Sequence, residues 1–217
     1  PGGGGPAAAA EQLAIRLEHL ALDWLNADAA PGEARLVGRQ QRLVEQTADA
    51  ELVGRLLAEP GVDPNAAASV SDGDWDVNPY TPLTRAAQRG HLEAARLLLD
   101  AGADPSRGND DGVTPLMVAS MNGQLEVVRL LLDRGAAVDA VKPATCSTLS
   151  GNLFPFGGTA FHSACANNQP ECAEELARVG CDVRLKDSNG FTGRELAEAK
   201  GRVVVVERLR AVVGEQL

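Results

Sequence analysis

From residue 81 onward, apolar and polar positions alternate in two short stretches of helical period, and then the arrangement starts again. Leu83, Ala86 and Ala87 share one face of a first stretch, and Leu92, Ala95, Leu98 and Leu99 share one face of a second. Both sets follow the three-and-four spacing of an amphipathic helix. Gly90 divides the two, and Gly102 follows the second in the place of a left-handed C′ residue. Thr81 stands before the first helix as an N-cap whose hydroxyl can accept from a free backbone N–H. Pro82 takes the first helical position, where its missing N–H costs little. Asp104 to Gly112 is rich in Gly, Asn, Asp and Pro, which predicts a turn or hairpin.

The pattern returns at a fixed interval. Thr114-Pro115 lies 33 residues after Thr81-Pro82, and Gly123, Leu125, Val128, Leu131 and Gly135 repeat the earlier marks. Thr159-Ala160-Phe161 opens a third copy, and Thr192 opens a fourth another 33 residues on. Between the second and third the interval is 45 residues, one period plus a 12-residue insertion. A helix pair this thin cannot cover its own apolar side, so neighbouring pairs must stack and share one continuous core. Residues 48–65 carry the back half of an earlier, degraded copy, for which Arg35 to Gln46 would supply the first helix.

The ends differ from this stack. The chain opens PGGGGPAAAA without an initiator Met. That is a low-complexity tail, expected to be disordered, and it reads as the stub of a longer polypeptide or of a processed precursor. Glu11 to Ala27 predicts an amphipathic helix with Leu13, Leu17, Leu20 and Trp24 on one stripe, to cap the stack or to meet a partner. At the far end Arg208 and Arg210 stand where an earlier copy has Leu97 and Leu99, as a terminal repeat with a polar outer face requires. No apolar run approaches the roughly 20 residues that cross a bilayer.

Charge and chemistry then narrow the function. A net charge of −10 with no block of Lys and Arg argues against a nucleic-acid partner. The motifs GxxxxGK[ST], HExxH and GxSxG, which place reactive groups on preformed turns and helices, are absent, so no catalytic residue is assigned and the chain is expected not to be an enzyme. Cys165, Cys172 and Cys181 replace Ala87, Ala94 and Ala103 of the first copy. They are expected to pack as small hydrophobes rather than to bind metal, since their spacing misses the paired zinc grammar. Cys146, in the insertion, is the candidate reactive thiol. Asp72 to Asp76 begins like a calcium loop, but Val77 and Leu83 stand where Gly and an acid are needed. No metal or cofactor is expected.

The strings TPLTRAAQRGHLEAARLLLDAGADP, TPLMVASMNGQLEVVRLLLDRGA and TAFHSACANNQPECAEELARVGCDV resemble the ankyrin repeat family, closely over residues 81–141 and 159–213. The resemblance implies an all-α solenoid of about five helix-turn-helix repeats with hairpin loops behind an N-terminal capping helix. The expected organisation is a tail over 1–10, the amphipathic helix over 11–33 and a repeat domain over 34–217. Within it, 34–80 is degenerate, 81–113 regular, 114–158 carries the insertion, 159–191 is regular and 192–217 caps the end. His91 and His162 occupy places where such repeats carry a structural His.

The resemblance also implies a binding groove, formed by the hairpin tips and the exposed side of each first helix. Its contact positions fall on Tyr80, Gln88 and Arg89, and then on Asp110, Asp111, Val113, Met121 and Asn122. The third copy supplies Asn167 and Asn168, and the last Lys186, Ser188, Asn189, Phe191 and Lys200. Asn168-Gln169-Pro170 departs from the usual Gly-His, so the turn there is expected to differ. Phe154 and Phe156, in the 143–158 insertion, are a competing apolar anchor, and Ala67 to Pro79 with Trp75 is a second insertion.

The expected function is a non-catalytic adaptor that binds another protein. The alternatives are a regulatory or targeting segment of a larger enzyme, or a structural subunit of a large assembly. The expected location is intracellular, in the cytoplasm, or in an organelle if a transit peptide has been removed. Partner identity and oligomeric state are not legible.

Overall fold

The computed structural model describes residues 53–54, 57–58, 62–65, 81–109, 111–142 and 157–213. The N-terminal tail, the helix expected over Glu11–Ala27, the expected first helix over Arg35–Gln46 and the 67–79 insertion with Trp75 lie outside them. So do residues 143–156 with Cys146, Phe154 and Phe156, as well as Tyr80 and Asp110.

Among the described residues the pattern yields eight helices: α1 (Pro82–Arg89), α2 (Leu92–Asp100), α3 (Pro115–Asn122), α4 (Leu125–Asp133), α5 (Ala160–Ala166), α6 (Pro170–Val179), α7 (Gly193–Ala199) and α8 (Val203–Val213). Each first helix packs on the next first helix, α1 on α3, α3 on α5 and α5 on α7. The second helices form a parallel row, α2 on α4, α4 on α6 and α6 on α8. The all-helical repeat solenoid expected from the sequence is therefore present.

Local chemistry sets the helix starts. The Thr81 hydroxyl accepts from the Thr84 N–H at 3.2 Å, and the Thr114 hydroxyl from the Met117 N–H at 3.3 Å. Thr192 adds a reciprocal bond, because Glu195 Oε2 accepts from the Thr192 N–H at 2.8 Å while the Thr192 hydroxyl accepts from the Glu195 N–H. These bonds to the Glu195 carboxylate hold its pKa below the usual range. At the third start His162 takes the part of that glutamate, its Nδ1 accepting from the Thr159 N–H at 3.3 Å.

Small residues bring the first helices close. Ala86, Ala119, Ala164 and Ala197 hold one slot in the four copies, and all are fully buried. Leu98, Leu131, Leu176 and Leu209 hold the corresponding core slot of the second helices. Burying each such Leu is worth about 1.5–3 kcal/mol. Phe161 replaces Leu83 and Leu116 in the third copy and needs more room. Gly193 supplies it: a Cβ there would lie 2.5 Å from the Phe161 ring.

The departure expected at Asn168 does not reach the backbone. Gly90, Gly123 and Gly201 close the other first helices at φ 75°, 72° and 66°, and Asn168 adopts φ 59° in their place. Asn is one of the few side chains that tolerate this region. Pro170 then opens α6 as expected.

The described residues between 53 and 65 follow the same register. Val53 and Gly54 are helical, Val53 is buried in the shared core, and Leu57 packs against it. Asn65 Nδ2 donates to the Gly102 carbonyl at 3.1 Å, and Asn65 Oδ1 accepts from the Asp104 N–H at 2.7 Å. The same step recurs where Ser106 accepts from the Ala137 N–H and Asp139 from the Asp182 N–H, at 2.9 and 3.0 Å. One short polar side chain per repeat thus ties each exit loop to the next.

Candidate interaction face

The last residue of each first helix, or the residue that caps it, falls on one row. Arg89, Asn122, Asn167 and Lys200 each stand eight residues after their Thr, and all four are exposed. Because the first helices pack side by side, this row runs across all four. The two amides are fixed by their own helices. Asn122 Nδ2 donates to the Val118 carbonyl at 2.8 Å, and Asn167 Nδ2 to the Ser163 carbonyl at 2.9 Å. An amide is planar, so each bond turns the carbonyl oxygen away from the helix. Gln88 is half-buried beside Arg89.

Behind the row the helix ends are sealed by the next repeat. A helix leaves its last carbonyls without intrahelical partners. Gln169 Nε2 reaches back to the Met121 carbonyl at 3.3 Å, and Arg202 Nε to the Ala166 carbonyl at 3.4 Å. Gln124 fills the same slot beside Gly90, where a Cβ would lie 2.3 Å from Gln124 Oε1. A Cβ on Gly123 would meet Gln169 Oε1 at the same distance, whereas one on Gly201 would meet nothing within 4 Å.

Hairpins form the other wall. Asn109 Oδ1 accepts from the Asp111 and Val113 N–H groups at 3.2 and 2.9 Å, and Asp187 Oδ1 from the Asn189 and Phe191 N–H groups, both at 2.9 Å. These bonds hold Asp111 half-buried and leave Lys186, Ser188, Asn189 and Phe191 exposed, Phe191 by 43%. Lys142 holds the same slot in the second copy. There the Lys142 N–H donates to the Gly158 carbonyl at 2.9 Å and the Gly158 N–H to the Lys142 carbonyl at 3.2 Å. The 12-residue insertion therefore leaves and returns at the base of a closed hairpin.

Two expected contact residues are corrected. Val113 is 3% exposed and part of the core, and Met121 is 7% exposed. Neither presents its side chain, because the stacked neighbours cover both slots. Asn168 is exposed, but its slot is that of the turn glycines rather than of the contact row.

His162 is a joint, not a reactive centre. It is 2% exposed, Nδ1 faces Thr159, and Nε2 donates to the Phe191 carbonyl at 3.2 Å. Burial holds its pKa below the ordinary value, against the opposing pull of the Phe191 and Leu185 carbonyls and the Asp187 charge. Cys165, Cys172 and Cys181 are buried in Ala slots. Desolvation pushes all three thiols up, Cys172 to about 11 and Cys181 to about 12, so none is a thiolate near neutral pH. Among the described residues no three His, Cys, Asp or Glu side chains are grouped to hold a metal ion. No described helix is long and apolar enough to cross a membrane.

On the opposite side the second helices are laced by ion pairs. Arg129 bridges Glu126 and Glu175, each at 3.0 Å, and Arg134 meets Asp100 at 2.7 Å. Arg208, expected to face solvent on the terminal repeat, reaches back to Glu171 at 2.9 Å and Glu174 at 3.2 Å. Exposed pairs of this kind contribute about 0–1 kcal/mol each.

The back-reaching glutamines and the Asx-braced hairpins were legible only as polar residues in fixed slots. The Gln169 partner, the Met121 carbonyl, sits one repeat away, so no local pattern names it, whereas Asn109 and Asp187 bond backbone N–H groups two and four residues on. The Thr-x-x-Glu box at Thr192 was a local signal of its own.

Known proteins match in the same register. A family profile described as ankyrin repeats matches residues 42–142 as three copies, and a single ankyrin-repeat profile matches residues 156–188. An Espin-like protein of Homo sapiens is 39% identical over 57 residues, which are 26% of this chain and 6% of that protein. The chain thus spans a small fraction of that relative's length.

Proposed function

We propose, from the premise that this chain belongs to the ankyrin-repeat family, that it is a non-catalytic adaptor that binds another protein through the row and hairpins of its first-helix side. Ankyrin repeats generally mediate protein–protein interaction. The supporting observation is the contrast between the two sides. On the second-helix side Arg129 and Arg208 are held in ion pairs with glutamates of a neighbouring repeat. The first-helix side displays Arg89, Asn122, Asn167 and Lys200 in register, with the Met121 and Ala166 carbonyls behind them bonded by Gln169 and Arg202.

The test is capture of a partner by the wild-type chain and by the triple variant Arg89→Ala/Asn122→Ala/Lys186→Ala. Loss of capture at unchanged thermal stability is expected, since these residues are exposed. Unchanged capture would remove the groove from consideration, and a parallel deletion of 146–157 then assigns binding to the insertion.

A second reading has one observation in its favour. The matched segment is 6% of the Espin-like relative, so the repeats can serve as the targeting or regulatory part of a longer polypeptide. Full-length transcript sequence separates the two.

A further inference from the structure

We propose that Asn189 is a site of spontaneous covalent modification, losing its side-chain nitrogen as ammonia to give aspartate and isoaspartate, and that the fold protects Asn122 from the same reaction. The chemistry goes beyond the groove reading and stands without it. An Asn followed by Gly is the most open pair for this reaction, because the following residue has no side chain to screen its backbone nitrogen. The chain has two such pairs, Asn122-Gly123 and Asn189-Gly190. Both asparagines are exposed, so exposure does not separate them. The reaction is a ring closure. The Gly nitrogen attacks Cγ of the Asn, a new C–N bond closes a succinimide, and the bond from Cγ to Nδ2 breaks. The proton of the Gly N–H leaves with Nδ2 as ammonia. Water then opens the ring at either carbonyl. Opening at Cγ gives aspartate. Opening at the main-chain carbonyl gives isoaspartate, whose backbone runs through Cβ and is one atom longer.

Geometry separates the two pairs. At Asn122 the leaving nitrogen is committed, because Nδ2 donates to the Val118 carbonyl at 2.8 Å. The attacking nitrogen is committed as well, since the Gly123 N–H donates to the Ala119 carbonyl at the end of α3. The Gln169 side chain fills the space where a Gly123 Cβ would stand. Freeing both nitrogens therefore means unwinding the last turn of a helix packed between α1 and α5. Asn189 enters its hairpin through its backbone N–H, which donates to Asp187 Oδ1 at 2.9 Å. Among the described residues no bond holds its side-chain amide. The Gly190 N–H closes a turn on the Asp187 carbonyl at 3.0 Å, a single exposed bond of the kind that local opening breaks at little cost. A Cβ on Gly190 would meet nothing within 4 Å, so the space around this turn is open. The isoaspartate product then disturbs the brace. The Asn189 and Phe191 N–H groups share Asp187 Oδ1, and the Phe191 carbonyl accepts from the Asp187 N–H at 2.8 Å and from His162 Nε2 at 3.2 Å. An extra backbone atom between 189 and 190 puts these bonds out of register. The aspartate product keeps the backbone length and adds only a negative charge.

The experiment incubates the intact folded chain at neutral pH and maps its peptides by mass spectrometry, with fragmentation that separates aspartate from isoaspartate. Conversion at 189 should run at least tenfold faster than at 122. In urea both pairs lose their folded surroundings, and the two rates should come together. The isoaspartate form, isolated by chromatography, should unfold at a lower temperature than the variant Asn189→Asp, since it alone lengthens the hairpin. Equal conversion at 122 and 189 in the folded chain would overturn the proposal. So would an unchanged Asn189 in the folded chain over the time in which the unfolded chain converts. An isoaspartate form as stable as Asn189→Asp would overturn the consequence drawn for the hairpin.

Discussion

At the scale of single residues, slots that look equivalent in the repeat are not equivalent in energy, because the neighbouring repeat differs. Gly123 and Gly201 have nearly the same φ, 72° and 66°, so an added Cβ strains both about equally. Only at Gly123 does it also displace Gln169, which would forfeit the bond to the Met121 carbonyl, a contribution of about 0.5–1.5 kcal/mol. Gly201→Ala should therefore cost about 1 kcal/mol and Gly123→Ala about 1 kcal/mol more. Urea unfolding checks this, and adding Gln169→Ala to both variants should close the gap.

His162 gives the pH dependence at the same scale. Its folded pKa lies below the ordinary 6.5, so as pH falls the unfolded chain takes up the proton first. Above about 6.5 both states are neutral and the residue contributes no pH dependence; below it the native state loses stability until the folded imidazole itself protonates. The urea midpoint of the wild type should fall more between pH 7.5 and 5.5 than that of His162→Gln. Equal falls would mean that the buried imidazole does not govern acid sensitivity.

At the scale of elements, the helix pairs were legible because start, face and stop are all local: Thr then Pro, Leu and Ala at helical spacing, Gly at the end. What was not legible is how one pair is cut to fit the next. Phe161 and Gly193 are 32 residues apart, and nothing in either helix alone announces that a missing side chain accommodates a large ring. Gly193 is not at positive φ, so Ala there gains helix propensity, up to about 1 kcal/mol. It also drives a methyl into the Phe161 ring, and overpacking costs about 1–3 kcal/mol. The clash should win. Gly193→Ala is expected to lower stability by about 1–2 kcal/mol, and Phe161→Leu/Gly193→Ala to recover most of it, since Leu83 and Leu116 fill the same slot against larger neighbours. Thermal unfolding of the single and double variants decides it.

For the whole molecule, the repeat says where a surface must be, while burial says which residues stand on it. The slot rule put Val113 and Met121 beside Arg89 and Asn122, and burial removed the first two. The tie of Asn65 to the Gly102 and Asp104 backbone extends the register of the later copies back to residue 65, where the sequence offered no Thr-Pro start. Partner chemistry was the least legible, because it depends on which charges other repeats have already engaged, as Arg208 engages Glu171 and Glu174. The most direct measurement places a photo-crosslinking amino acid at position 122, on the first-helix row, or at position 129, on the second-helix side, in the cells that make the protein. Crosslinked partner at 122 and none at 129 is the expected result; crosslinks confined to 129 would contradict the account.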